Sequence, residues 1–461
     1  MLLNDRFEPG ESLWQRFQTL WRSDPLLQRV VRNSAHLFTG NTLSAALGFV
    51  QGILAVRLIG VAGWGLVATV ITFASNINRL LSFRMSEAVV KYAGEALARE
   101  AHREAVALVK TLLLVEALTS LAAFLVLAAL TPWAARELAG QPALAPLFLL
   151  YGLILLTNAL TETSTGVLQA VRRFDYLARL NAVSSLATLT IIALAFALRG
   201  DVTMILLAYV LGKTVNGVGL AWLARRQLRL LFGPVWRATP MRLLRQKRQL
   251  GAFLLSTNLN GTVNLITRDN VPLYLAALLS VTEVGYFKIA FGLINLILLP
   301  LEPFLWPTYA EITRTIAQED WGATRRLLRR VSLMTAALVT LIGGGLALTG
   351  RWLIPFLYGA AAAPAYPLLL ILLAGYGFAS IFQWNRPLFL ALGKPSYPLL
   401  IALLCGLVEL TLLFTLAPRY GYLMVAGILA GYFVVSIGWL AARGWWELRR
   451  RGLPSRGGAT C

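Results

Sequence analysis

The chain has 461 residues, 57% of them hydrophobic and only 14% charged, with a mean hydropathy of +0.67. Apolar residues at that density, laid down in long blocks and not in alternation, exclude a soluble globular protein and specify a polytopic α-helical membrane protein. The net charge of +21 would indicate nucleic acid in a soluble chain, but here the basic residues gather in loops on one side of the membrane, so no nucleic-acid partner is expected.

Residues 1–34 are expected to form a cytoplasmic segment. They lack the apolar core of a signal peptide, and Leu13, Trp14, Phe17, Leu20 and Trp21 recur at helical spacing among charges. That pattern reads as an amphipathic helix lying on the membrane surface, with a soluble tail as the alternative. Twelve spanning segments follow, near 35–58, 63–87, 106–130, 145–170, 178–198 and 202–224, then near 250–279, 283–311, 327–349, 364–390, 396–417 and 422–443. They divide into an N-terminal six-helix lobe (35–224), a basic cytoplasmic linker (225–249) and a C-terminal six-helix lobe (250–443). A basic cytoplasmic tail (444–461) closes the chain. In the first segment Gly40, Ser44, Gly48 and Gly52 recur every four residues, a helix-packing face. In the eighth, Pro300, Pro303 and Pro307 predict a kink.

Lys and Arg crowd the stretch before the first segment, the even-numbered loops, the run from Arg225 to Arg248 and the tail. The odd-numbered loops carry only Arg57, Arg136, Arg199, Arg351 and Arg419. The asymmetry puts both termini in the cytoplasm and agrees with an even number of spans. Cys405 and Cys461 give no disulfide framework, and His36 and His102 give no metal spacing, so neither metal nor cofactor is expected. No Gly-rich phosphate loop follows a strand, so the chain is not expected to hydrolyse ATP.

The two halves resemble each other. VAGWG (61–65) aligns with VTEVG (281–285), placing Gly65 over Gly285. LQAVRRFDY (168–176) aligns with FLALGKPSY (389–397), placing Tyr176 over Tyr397, and Gly200 falls over Gly421. Six helices per half give both halves the same orientation, a parallel repeat about an axis along the membrane normal. The intramembrane charges do not follow the repeat: Gly48 stands opposite Arg268, and Leu299 opposite Arg79. An asymmetric substrate between two lobes explains this, and so does drift of packing charges after duplication.

The stretch 251–311 holds charges inside apolar runs: Arg268 and Asp269, then Lys288 and Glu302. A charge near the bilayer centre costs about 2.5–3.5 kcal/mol, so such residues face a bundle interior or a wet cavity. Arg268 and Asp269 are sequence neighbours, about 100° apart on a helix, and cannot satisfy each other well. At least one needs a partner on another helix or a ligand; a packing ion pair is the alternative. At about 1.5 Å per residue, Arg79 and Glu162 reach similar depths and are expected to pair, as are Glu302 and Arg386. Lys213, Glu116 and Glu409 fall near the middle, where a carboxyl group either couples transport to protons or is simply paired.

RLIGVAGWG (57–65), ALLSVTEVGYFKIAFGLINLILLPLEPFLWPTYAEI (277–312) and the run from FLYG to LGKPSY (356–397) resemble the polysaccharide biosynthesis flippases of the multidrug/oligosaccharidyl-lipid/polysaccharide exporter superfamily. The resemblance implies two six-helix lobes forming a V around a central cavity. It also implies a transporter and not an enzyme. The cargo would be an undecaprenyl-diphosphate-linked oligosaccharide (an O-antigen, capsule or exopolysaccharide unit), moved across the cytoplasmic membrane by alternating access. Partners would be that lipid-linked substrate, membrane lipid, and a polysaccharide polymerase or glycosyltransferases. Cavity cations would hold the diphosphate through charge-assisted hydrogen bonds. The expected binding set is Arg268 first, with Asp269, since an acidic residue near that position recurs in these flippases; Lys288, Arg79, Arg386 and Lys213 join it by depth alone. Glu116, Glu162, Glu302 and Glu409 are expected in ion coupling or pairing. A drug or cation exporter of the same superfamily would present a more acidic cavity. A membrane glycosyltransferase would need larger outer loops than those near 131–144 and 350–363.

Overall fold

The structure is a computed structural model that describes residues 25–83, 85–241, 248–254, 262, 265, 269–394 and 396–451, and no strand occurs among them. Ten helical stretches are long and apolar enough to cross a membrane. Twelve were expected. The first two expected segments belong to one continuous helical stretch, α1 (Pro25–Leu81), and the middle of the expected seventh, 250–279, lies largely outside the described residues. At 1.5 Å per residue α1 would be about 86 Å long if straight, nearly three times the hydrocarbon thickness. It is not straight. Gly60 takes φ 72° and ψ 175°, outside the helical region, a conformation that a side chain would oppose. It divides α1 into two arms.

Beyond α1, a short α2 (Met85–Ala88) runs through a π-helical turn (Val89–Ala93) into α3 (Gly94–Ala98). The apolar helix α4 (His102–Glu137) follows. The next crossing is built in pieces, α5 (Ala145–Gly152), α6 (Ile154–Thr157) and α7 (Thr161–Ala170). Then come α8 (Phe174–Ala197), α9 (Val202–Phe232) and the five-residue α10 (Pro234–Ala238). The second half contains α11 (Val271–Leu278), α12 (Val281–Leu298), α13 (Glu302–Ala317) and α14 (Trp321–Tyr358). It ends with α15 (Ala365–Ile381), α16 (Asn385–Ala391), α17 (Ser396–Tyr420) and α18 (Tyr422–Arg451). Local chemistry fixes several starts. Asp201 accepts from Met204 N at 3.1 Å, Ser280 from Thr282 N at 3.2 Å and Asp320 from Ala323 N at 2.7 Å, each satisfying a backbone donor that the first helical turn leaves open. The proline-rich kink falls at the 3-10 turn Leu299–Leu301, between α12 and α13. Of the small-residue face, Gly40 packs tightly on Ala178 of α8, whereas a side chain at Gly48 would meet nothing within 4 Å.

The backbone itself repeats. Left-handed residues occur at Glu100 and Glu319, at Gly140 and Gly359, at Arg172 and Gly393, and at Arg199 and Gly421. Each pair is separated by 219 to 222 positions, so the same sharp reversals end corresponding helices in the two halves. The counterpart of Gly421 is Arg199, one residue before the Gly200 that the sequence suggested.

The two ends of the bundle differ in how the halves meet. Call the end with few Lys and Arg in its loops the basic-poor end. There, buried side chains from both halves make one continuous core, running from Ala55, Val67 and Phe148 to Ile289, Leu369 and Phe433. A Cβ on Gly65 would overlap the carbonyl of Val281, and one on Gly285 would meet Val61. The contact is reciprocal, as contacts across a two-fold axis are: Val61 and Gly65 stand to Gly285 and Val281 as their own equivalents. Arg57 reinforces this end by donating to the carbonyls of Leu357, at 2.7 Å, and Phe356. Toward the basic end the core divides. One cluster, around Met85, Leu112 and Phe232, is built mainly from the first half and takes in Leu250 and Leu254 from the start of the second; another, around Ile312, Leu328, Trp384 and Leu448, lies wholly in the second.

Candidate functional site

Where the shared core gives way to separate ones, a polar seam runs between the halves. The second arm of α1 carries Asn76 and Arg79, three residues apart and therefore on one helix face. Facing them, just before α11, are Asp269 and Asn270. Asn76 Nδ2 donates to Asn270 Oδ1, and Arg79 Nη1 donates to Asp269 Oδ2. Asn76 is buried, whereas the side chains of Arg79 and Asp269 keep 58% and 47% of their exposure. Lys288, half-buried on α12, lies within electrostatic range of the same carboxylate. Tyr274, one turn beyond Asn270, hydrogen-bonds that amide and faces Glu409, which is buried on α17. Arg79 thus bridges to Asp269 across the seam, with Lys288 on α12 in the same neighbourhood. The Arg79–Asp269 ion pair of the seam is about half exposed. Exposed pairs of this kind contribute only about 0–1 kcal/mol, so an anion can exchange for Asp269 at small cost.

The sequence singled out Arg79, Asp269 and Lys288 separately, and the structure brings them together. Arg268 and the side chain of Glu302 lie outside the described residues, which leaves the expected Glu302–Arg386 pair there too. Arg386, exposed at the start of α16, and Lys213, exposed midway along α9, are not brought to the seam by any described contact. The expected pairing of Arg79 with Glu162 is incorrect. Arg79 reaches across to Asp269, while Glu162 accepts from Ser86 Oγ at 2.6 Å. The depth estimate assumed a straight fourth crossing, but that crossing is broken between α6 and α7, and Glu162 sits in the first turn of the new helix.

Glu116 on α4 explains how that break is held. It is 2% exposed, and its two oxygens accept from Glu162 N at 2.8 Å and Thr163 N at 2.9 Å. A carboxylate supplied by one helix therefore caps the N-terminus of another, where unpaired N–H groups and the helix dipole favour negative charge. Of the two roles expected for Glu116, the observed contacts are those of pairing, with backbone as partner. Asn76 and Asn270 were missed because the search was for charges; an amide inside an apolar run, as in SNINR (75–79), is the signal that would have found them.

The sequence profile of the polysaccharide biosynthesis protein family matches residues 30–313. Inner membrane protein YghQ of Escherichia coli (strain K12) is 25% identical over 354 residues, which cover 76% of this chain and 98% of that protein. Among solved structures, an inward-facing multidrug resistance MATE family transporter of the MOP superfamily matches with a TM-score of 0.70 at 13% identity, covering 89% of this chain and 96% of its own. Lipid II flippase MurJ in an inward closed conformation matches with a TM-score of 0.66 at 14% identity, covering 89% of each chain. At those identities the structural likeness establishes the fold.

Proposed function

This multi-pass membrane protein belongs to the polysaccharide biosynthesis protein family, and from that premise we propose that it flips an undecaprenyl-diphosphate-linked oligosaccharide across the cytoplasmic membrane by alternating access. The architecture in this reading is twelve helices in two parallel-repeat lobes, 35–224 and 250–443, with both termini and the linker 225–249 cytoplasmic. The repeated left-handed positions and the reciprocal Gly65–Gly285 contact support that arrangement. A core shared at the basic-poor end and divided at the basic end supports a cavity that opens to the cytoplasm. YghQ being named an inner membrane protein favours the same membrane.

The observation that carries the substrate class is the half-exposed Arg79–Asp269 bridge between the halves, with Lys288 nearby. A diphosphate entering from the cytoplasm displaces Asp269 from Arg79 and takes over the guanidinium's paired donors, a geometry matched to phosphate. Freed of the bridge, the halves separate at the seam, and the glycan follows the headgroup between them. Arg268 and Asp269 belong to this binding set by sequence position, and Arg386 and Lys213 would meet the substrate only elsewhere along its path. A cation exporter would more naturally present an acidic cavity, without cations such as Arg79 and Lys288 beside its carboxylates.

The test is reconstitution. Proteoliposomes holding the full chain and a fluorescent polyprenyl-diphosphate oligosaccharide would show protein-dependent loss of dithionite-protected label, and Arg79→Ala would abolish it. Efflux of a cationic dye without flipping of the lipid would overturn the proposal in favour of an exporter.

A further inference from the structure

A second cationic feature lies on the flank of the first half, away from the seam. The groove between α4, α7, α9 and α10 encloses about 1280 Å³. Its floor is apolar, with Leu113, Leu160 and the buried Val167 among the lining side chains, and its mouth carries Trp222, Arg225, Arg229 and Trp236. None of the described lining residues is a carboxylate. Depth along α9 explains the layering: Trp222 is twenty residues from Val202, about 30 Å, which is the thickness of the hydrocarbon layer. Trp222, 60% exposed, therefore stands at the interface that tryptophan favours. Arg225 and Arg229, one turn apart on one face, reach the headgroup layer beyond it.

The wall facing the arginines is built to stay. Gly233, with φ 46°, reverses the chain so that α10 folds back toward α4. Lys110 holds it there, donating to Thr239 O at 2.9 Å and standing 5.3 Å over the ring of Trp236. A five-residue helix, a lysine and a glycine reversal thus keep one side of the groove in place, with two cations on the other.

We infer that this groove binds an anionic phospholipid of the cytoplasmic leaflet, its phosphate on Arg225 and Arg229 and one acyl chain along the apolar floor. The inference takes its orientation from the topology proposed above but needs no transport to be observed. Native mass spectrometry of the full chain in detergent, titrated with phosphatidylglycerol or phosphatidylethanolamine of identical acyl chains, reads it directly. Tighter retention of the first phosphatidylglycerol is expected. The Arg225→Ala, Arg229→Ala double variant should lose that preference by roughly tenfold or more, at about 1 kcal/mol per basic residue near the surface. The double lysine variant should keep it, which guards against a folding artefact. Equal retention of the two lipids would overturn the inference, as would an equal loss in Arg226→Ala, whose exposed side chain lies outside the groove. Stoichiometric displacement of phosphatidylglycerol by a polyprenyl-diphosphate oligosaccharide would also overturn it, by assigning the groove to the substrate. Loss of flipping with lipid retention intact would count against the transport reading alone.

Discussion

Glu116 and Asp269 are both carboxylates in the membrane-spanning region, and they are bound in opposite ways. Glu116 is buried within the first half, and its partners are two backbone N–H groups of α7. Asp269 is nearly half exposed, and its partner is Arg79 from the other half. Backbone donors at a broken helix cannot leave without unwinding it, whereas a guanidinium on an exposed pair has water or an anion as an alternative partner. The first contact ties two helices of one half together. The second joins the halves at the point where the proposed transport cycle would part them. Stability and transport should therefore respond to the two sites in opposite proportion.

The largest effect is expected at the seam. Arg79→Ala should reduce flipping at least a hundredfold in proteoliposomes while the thermal midpoint in detergent hardly moves, since the lost pair contributes about 0–1 kcal/mol. Exchanging the charges, Arg79→Asp with Asp269→Arg, rebuilds the bridge with the cation on the other half. If bridging were the whole role, the exchange would restore transport. Restoration below a tenth of wild type is expected, because in the proposed mechanism Arg79 also holds phosphate.

Glu116→Ala should do the reverse. It leaves two buried N–H groups without an acceptor, at about 1–3 kcal/mol each, so the midpoint should fall by several degrees. Glu116→Gln keeps an acceptor oxygen and should fall less. Flipping measured well below the midpoint should survive in both. A stable Glu116→Gln with no transport would move this residue from holding the fold to coupling ions.

Gly65 tests the closed end of the bundle. Gly65→Ala forces a methyl against the Val281 carbonyl, and overpacking of this kind costs about 1–3 kcal/mol. Gly285→Ala should cost a similar amount at the reciprocal contact. Because both changes push apart the same two helix starts, the double variant should lose less than the sum of the singles. Strict additivity would show that the two glycines do not share one contact.

Much of this architecture is legible in the sequence because membrane helices and tight turns have strong local causes. Apolar blocks mark the crossings, and VAGWG against VTEVG picks out the two glycines that meet between the halves. Depth counting fails for a physical reason. It treats each crossing as a straight rod, and α5 to α7 is three pieces, so Glu162 is aimed at Ser86 while Arg79 finds Asp269. Asn76 and Asn270 are invisible to a search for charge, although an amide in hydrocarbon also requires a partner. The capping role of Glu116 was beyond the sequence as well, since it depends on which helix end lies beside α4.

The smallest effect is expected far from the seam, at the basic end of the second half, where Glu447 gathers three cations. Lys394 Nζ lies 2.7 Å, Arg443 Nη2 3.1 Å and Arg451 Nε 3.8 Å from its oxygens, and the Glu447 side chain is only 7% exposed. Arg443 and Arg451 reach it from one turn before and one turn after on α18, and Lys394 arrives from the turn following α16. Lys394→Ala removes the shortest contact, yet two guanidiniums still neutralise the carboxylate. Lys394 is itself 41% exposed, so its ammonium is partly hydrated already. The loss should stay below about 1 kcal/mol, a shift of a degree or two in the thermal midpoint, with flipping unchanged. Removing the shared carboxylate is different: Glu447→Gln leaves three cations facing one another around a neutral amide, and should cost more than Lys394→Ala although it touches the same contact. The order of these two variants distinguishes a hub from a simple pair. If Lys394→Ala proved as damaging as Glu447→Gln, the lysine would carry the interaction alone. If it stopped transport at unchanged stability, the basic end of the second half would have to be counted with the seam as part of the substrate's path.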